Sequence, residues 1–361
     1  VVARRAYESK QYAYDSFSAT FLPQLTLQGD LPGYYRSINS IILPDGTSIF
    51  AAQSQASSSL NLALSQKIPF TGADLSFVSG LNRIDLLESR VRYYRSNPLT
   101  VNLRQPLFQI NTMRWNRKAE ALRYRIAGRE AVEAMEEIAI EVTNKFFDYY
   151  LASMSAVDAA LNLANNDTLY NISKGRYNVG RIAENDLLQS ELAFFDARTQ
   201  LENARLEFDR SASALRTALG LSGSSVMVPL PPTDIPDLQI DTALALSQAR
   251  LHRSDVLQFE LQQVNAERAV SQARSDNLFN ATMSASVGFN QQAPAIPEAY
   301  RNLLDQQQFT LRLDVPIFRW GAGTAAIDAA MSEQRRVEAA LGRQREEFDQ
   351  ETEYQVSRLN L

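Results

Sequence analysis

The chain has no cysteine, one histidine (His252) and two tryptophans among its 361 residues. Without cysteine there is no disulfide, no thiolate metal site and no Cys nucleophile. With His252 the sole candidate base, a Ser-His-Asp triad or a His-rich metal centre has almost no material to be built from. His252 lies in LSQARLHRSD (246–255), beside Arg253, and reads as an ordinary helical residue. A net charge of −5 without any long basic run argues against nucleic acid as a partner. No apolar run is long enough for a spanning helix. A transmembrane β-barrel escapes that test, because its strands alternate and carry a weaker signal. The start, Val1-Val2-Ala3-Arg4-Arg5, has neither an initiator Met nor a signal-peptide pattern and reads as truncated or processed. The expectation is a chain that is no enzyme, with no catalytic residue, cofactor-binding residue or metal ligand.

What is abundant is helical periodicity. From 112 to 173 there is no proline, and apolar residues recur at intervals of seven: Met135, Val142, Tyr149, Ala156, Leu163 and Tyr170. A second stripe runs through Ile126, Ile140, Phe147, Met154 and Leu161, interrupted at Glu133. About 60 residues at 1.5 Å each make a helix of roughly 90 Å, a length that survives only in coiled coils or as a stave of a larger tube. Residues 185–219 are more regular. Leu187, Phe194, Leu201, Phe208 and Leu215 form a large stripe, and Ser190, Ala197, Ala204, Ser211 and Ala218 a small one beside it. Large beside small lets two helices approach closely, which predicts two antiparallel staves. The turn between them is placed at 175–184, with Gly175 and Gly180 as breaks and Asn185 or Asp186 as the cap of the returning helix.

Other segments have period two. Leu25 and Leu27, Leu60 to Leu64, Leu75 to Leu81, Val101 and Leu103, Val287 and Phe289, and Leu311 to Val315 alternate with Ser, Asn, Gln, Arg or Asp. A soluble sandwich would turn the polar face outward, whereas a porin-like barrel would turn it to a wet lumen. Strands joined to helices too long for a globule favour the barrel.

The chain also repeats itself. LRQPLF (103–108) matches LDVPIF (313–318), and SATFLPQLTL (18–27) aligns loosely with RSDNLFNATM (274–283). The two offsets differ because the first repeat holds extra strand material at about 55–95, where LSQKIPFTG (64–72) reads as a further hairpin turn. This gives a first repeat over 1–220: a helix, strands at about 20–108 with an added hairpin at 60–82, a long helix 112–173, the turn 175–184 and a return helix 185–219. A proline-rich linker over 221–240 and a second repeat over 241–361, stopping within its long helix, complete the division. By this alignment the partner of 152–219 and the helix preceding Val1 lie outside the chain.

These residues resemble the TolC-like outer-membrane efflux protein family (outer membrane factors). The most specific stretch is 176–220, RYNVGRIAENDLLQSELAFFDARTQLENARLEFDRSASALRTALG, an Arg-aromatic-x-Val-Gly turn followed by Asp-Leu-Leu and an Ala/Leu-rich helix ending in Leu-Gly. LPQL (22–25) and QPLF (105–108) are similar to the family's signatures at the start and end of strands. The resemblance implies an α+β membrane protein: long antiparallel coiled-coil helices forming an α-helical tunnel, plus a transmembrane β-barrel shared by a homotrimer of two-repeat chains. It implies a passive export duct in the outer membrane of a Gram-negative-type cell, reaching into the periplasm. A periplasmic adaptor (membrane fusion) protein and an inner-membrane pump of RND or ABC type would feed it, in tripartite efflux or type I secretion. The alternative is a periplasmic coiled-coil adaptor or scaffold. On the family pattern Arg176, Val179 and Gly180 form an adaptor-docking tip, and Asn185 and Asp186 a gate contact. The bland reading of these is a plain turn and a helix cap. The added hairpin departs from the family's usual four strands per protomer, leaving four or six wall strands open.

Overall fold

The computed structural model describes residues 2–42, 46–221, 227–233 and 238–361. In chain order the elements are α1 (Val2–Ala19), β1 (Gln24–Ile42), β2 (Ser48–Ile68), β3 (Ala73–Leu86), β4 (Val91–Leu107), α2 (Thr112–Asn178), α3 (Glu184–Leu219), α4 (Thr242–His252), α5 (Ser254–Asn277), β5 (Asn280–Ala293), α6 (Ile296–Ala299), β6 (Leu304–Asp314) and α7 (Ala322–Leu359). The chain forms two compact units, Val1–Glu130 with Asp241–Arg358 and Ala131–Ile240 with Leu359–Leu361. These units cut across the division at 220 and 240 drawn from the sequence, because compactness follows packing partners and not the order of repeats. The linker of 221–240 lies partly outside the described residues.

The first unit is built on one six-stranded antiparallel sheet in the order β1-β2-β3-β4-β5-β6. The period-two segments all enter it, except that Val315 falls just past the end of β6. The added hairpin is β2–β3, reversing at residues 69–72, and it occupies the interior of the sheet. Between Ser96 and Leu99 the β4–β5 register slips. Pro98, which has no N–H to offer a ladder, falls in that slip. Four helices adjoin the sheet and touch in the order of their strands. Tyr14 of α1 stacks on Tyr124 of α2 at 4.7 Å. Leu122 and Ile126 of α2 bury themselves against Leu257 and Val264 of α5. Phe259 of α5 meets Phe348 of α7 edge-on.

At the sheet's helix-proximal end, Asn111 ties the elements together. Its side-chain oxygen accepts from Arg114 N, capping α2. Its amide donates to Pro69 O and Phe70 O at 2.8 and 3.2 Å, clamping the β2–β3 turn.

The second unit is an antiparallel hairpin of α2 and α3. Every member of the large and small stripes of α3 is buried or half-buried. Tyr149, Ala212 and Leu215 form the centre, flanked by Val142, Phe146 and Phe208. The Tyr149 hydroxyl donates to Met227 O at 2.7 Å, so the chain after α3 folds back on the hairpin. Asn360 and the backbone of Ile240 exchange two hydrogen bonds, at 2.9 and 3.0 Å. Gly175 does not break the helix: α2 continues to Asn178, because an isolated glycine costs a helix only about 1 kcal/mol.

Candidate functional site

Two places carry the functional expectations: the sheet in the first unit and the helix reversal in the second. In the sheet, register turns alternation along each strand into ranks across all of them. Gln24, Ser65, Ser76, Asn102, Ser286 and Gln308 are successive cross-strand partners, a polar rank spanning all six strands. One residue along, the rank on the opposite face is Leu25, Leu64, Phe77, Val101, Val287 and Gln307. Leu75, Leu103, Ala285 and Phe309 extend that apolar face toward the helices. Of these apolar side chains, Leu25, Leu64, Phe77, Val287 and Phe309 are exposed in the single chain, Leu25 at 66% and Val287 at 57%, and Leu75, Val101, Leu103 and Ala285 are half-buried. A face this large and this apolar needs a non-aqueous neighbour.

Both ends of the apolar face are marked. Away from the helices, the same face carries Arg83, Asp85, Arg92 and Tyr94. Asp85 accepts from Arg92 at 2.6 Å and from Arg83 at 2.8 Å. At the helix-proximal end, Phe108 and Phe279 pack at 5.4 Å and Phe318 and Trp320 at 4.5 Å. Phe70, Phe318 and Trp320 are largely exposed there. Only partnering across strands reveals these ranks, although the alternation behind them was legible.

At the reversal, Arg176, Val179 and Gly180 fall within five residues. Gly180 adopts φ +73°, which ends α2 in a left-handed turn. Gly180 N donates to Tyr177 O and Arg181 N to Arg176 O, both at 2.8 Å, satisfying the last carbonyls of the helix. Val179 is 69% exposed. Neither Asn185 nor Asp186 is the cap of α3. Ala183 holds that position without a side-chain hydrogen bond, and its carbonyl accepts from Asp186 N and Leu187 N. The helix starts earlier than the sequence suggests, so Asp186 falls in its first turn with Glu184. There a carboxylate acts through the helix dipole instead of through a cap bond. Among the described residues the side chains of Asn185 and Asp186 have no hydrogen-bond partner.

Just inside the reversal lies a polar contact that the stripes did not announce. The Tyr170 hydroxyl donates to Glu191 at 3.1 Å, while its ring stacks on Phe194 at 5.7 Å. The hydrogen bond to the Glu191 carboxylate, with some desolvation, raises the Tyr170 pKa above its ordinary value. Among the described residues no cluster of His, Cys, Asp or Glu could hold a metal, and no helix is long and apolar enough to cross a membrane.

Residues 50–221 match the sequence profile of the family described as outer membrane efflux protein. No curated protein matches the chain. Among solved structures, VceC, an outer membrane protein of Vibrio cholerae, superposes with a TM-score of 0.62 at 14% identity, covering 96% of this chain and 72% of that one. The open state of the MtrE outer membrane channel of Neisseria gonorrhoeae gives 0.58 at 16% identity, over 99% and 68%. CusC, described in connection with transmembrane channel formation, gives 0.61 at 14% identity, over 99% and 69%. At such identities the structures speak for the fold, and the family rests on the profile. Residues 50–221 thus carry the profile of the outer membrane efflux proteins, and over nearly all its length the chain shares the fold of solved outer membrane channels.

Proposed function

We propose that three copies of this chain assemble into one export duct, a β-barrel in the outer membrane continuous with an α-helical tunnel in the periplasm. The chain is an outer-membrane efflux protein and not an enzyme. The observation that carries the proposal is the sheet: six strands with one polar and one apolar face, ending in the unpaired edges of β1 and β6 among the described residues. In lipid, unpaired edges are not tolerated, so β6 of one copy must pair with β1 of the next until the ring closes. Three six-stranded sheets give about eighteen strands, a wall wide enough for a wet lumen, with the polar rank lining it. The second stripe of α2 supports the same assembly. Ile140, Phe147, Met154 and Leu161 are 41–62% exposed on a helix whose other stripe is already occupied by α3. A helix apolar on two sides fits a stave between two neighbours.

In this reading the duct is passive. An inner-membrane pump of RND or ABC type supplies substrate, and a periplasmic adaptor docks on the hairpin tip at Arg176, Val179 and Gly180. Exposed Val179 beside an open left-handed glycine supports a docking spot. Asn185 and Asp186, unpartnered in the single chain, are the gate residues, each contributing a weak polar link of roughly 0–1 kcal/mol to a neighbour in the closed state. Single-channel conductance of the purified trimer in planar bilayers tests the duct: no conductance, or channels formed by another number of chains, would overturn it. Gly180→Glu should leave the trimer intact and abolish export. Asp186→Asn should raise resting conductance, and unchanged conductance would remove it from the gate.

A further inference from the structure

We infer that the cleft between the start of α2 and the end of α5 binds the phosphate of an anionic membrane lipid at the periplasmic leaflet. The cleft encloses about 850 Å³. Its lining holds three cations, Arg114, Lys118 and Arg274, and no carboxylate, while Trp115, Ile110 and Leu278 supply an apolar floor. None of the three cations is ion-paired among the described residues. Several other surface arginines are instead neutralised by a carboxylate of their own helix. Arg4 and Arg5 pair with Glu8, Arg205 with Glu202, Arg210 with Glu207 and Arg336 with Glu333. The neighbouring cleft between α1, α2 and α5 has Glu120 and Glu130 in its own lining, and Arg123 there is paired to Glu120.

Three unpaired cations converging on one cleft fit a phosphate, which arginine engages through two parallel N–H donors. The apolar floor calls for a ligand that is also greasy. Position supplies both. The cleft opens immediately past the end of β4 and the start of β5, where the apolar face of the sheet stops and Phe108 and Phe279 pack together. With the sheet as membrane wall, as proposed above and on which this inference rests, that is the level of lipid headgroups, and the aromatic rings mark the interface. A phosphatidylglycerol-type lipid would set its phosphate among Arg114, Lys118 and Arg274 and lay its first methylenes along Trp115. Basic clefts between helices at a membrane surface bind anionic headgroups in this way.

Trp115 is a built-in reporter once Trp320, the other tryptophan, is replaced. In the W320F protein in zwitterionic detergent, phosphatidylglycerol brominated on its acyl chains should quench Trp115 with saturation near one lipid per chain. Brominated phosphatidylethanolamine should bind at least about tenfold more weakly, and R114Q/K118Q/R274Q should weaken phosphatidylglycerol binding by about 100-fold, near fivefold per cation. Since all three cations are exposed, the variants should keep the helical circular dichroism and the native oligomer, and Lys118→Gln alone provides a milder check. Equal quenching by both lipids, or quenching indifferent to the substitutions, overturns the inference. Displacement of the lipid by millimolar inorganic phosphate would make the cleft a soluble-anion site and overturn it too. Flotation with zwitterionic vesicles tests the membrane wall separately. A protein that floats without selective quenching loses only this site, and one that does not float loses the wall itself.

Discussion

The six-stranded sheet and the α2–α3 hairpin solve the same problem in opposite ways. The sheet is held by backbone ladders running strand to strand, and it leaves its apolar face uncovered for another phase. The hairpin satisfies its backbone within each helix and is held by side chains, the large and small stripes of α3 against Val142, Tyr149 and Tyr170 of α2. One region therefore depends on how closely backbones approach, and the other on what fills the seam.

Glycine substitutions should break that contrast with the largest effect. A Cβ at Gly288 in β5 would sit 2.5 Å from Leu99 O and 2.8 Å from the Thr100 Cα of β4. Gly288→Val should prevent the β4–β5 ladder from closing and abolish the heat-resistant assembled species on gels. Gly175→Ala, inside α2 with nothing within 4 Å, should instead stabilise the hairpin by about 0.5–1 kcal/mol. Thermal unfolding by circular dichroism measures the second change, and destabilisation there would sink the seam account.

Truncation of the seam comes next. Leu215 is 4% exposed and packs in the cluster around Tyr149, so Leu215→Ala should cost about 2–5 kcal/mol of hairpin stability in denaturant titrations. The sheet responds to charge and to the face on which it is placed. Leu62→Arg, on the apolar face, should cost about 2–4 kcal/mol in the membrane, whereas Ser76→Arg on the polar face should fold normally and shift ion selectivity. Equal effects at the two positions would contradict the assignment of faces.

The smallest effect is a pH dependence of the hairpin. The raised Tyr170 pKa means that its bond to Glu191 contributes stability below the ordinary tyrosine value of about 10, which is lost as pH climbs through the higher folded-state value. Tyr170→Phe should make the decline in stability above about pH 10 shallower than in the parent in equilibrium unfolding. A parallel decline in both proteins would remove the bond as its source.

Much of this was legible in the linear chain. Period seven marked α2 and the facing stripes of α3 because helix geometry repeats locally, and period two marked every strand for the same reason. The turn glycine Gly180 was legible because glycine takes up the left-handed conformation that closes a helix end without steric cost. The cap was not: Ala183 has no side chain to announce it, and Asn185 and Asp186 were attractive decoys. The fate of the added hairpin was equally hidden, since PFTG marks a turn without saying which strands β2 and β3 pair with.

By itself the sequence determined the local periods, the turn at Val179-Gly180, the lack of cysteine and scarcity of histidine, and the resemblance to efflux proteins, all of which depend on residue types and their short spacing. The tertiary structure alone decided that six strands share one sheet, that Gln24 through Gln308 form a single polar rank, and that Arg114, Lys118 and Arg274 meet around one cleft. Those facts join residues up to about 280 positions apart, and only the pairing of strands and the packing of α2 on α5 could bring them together.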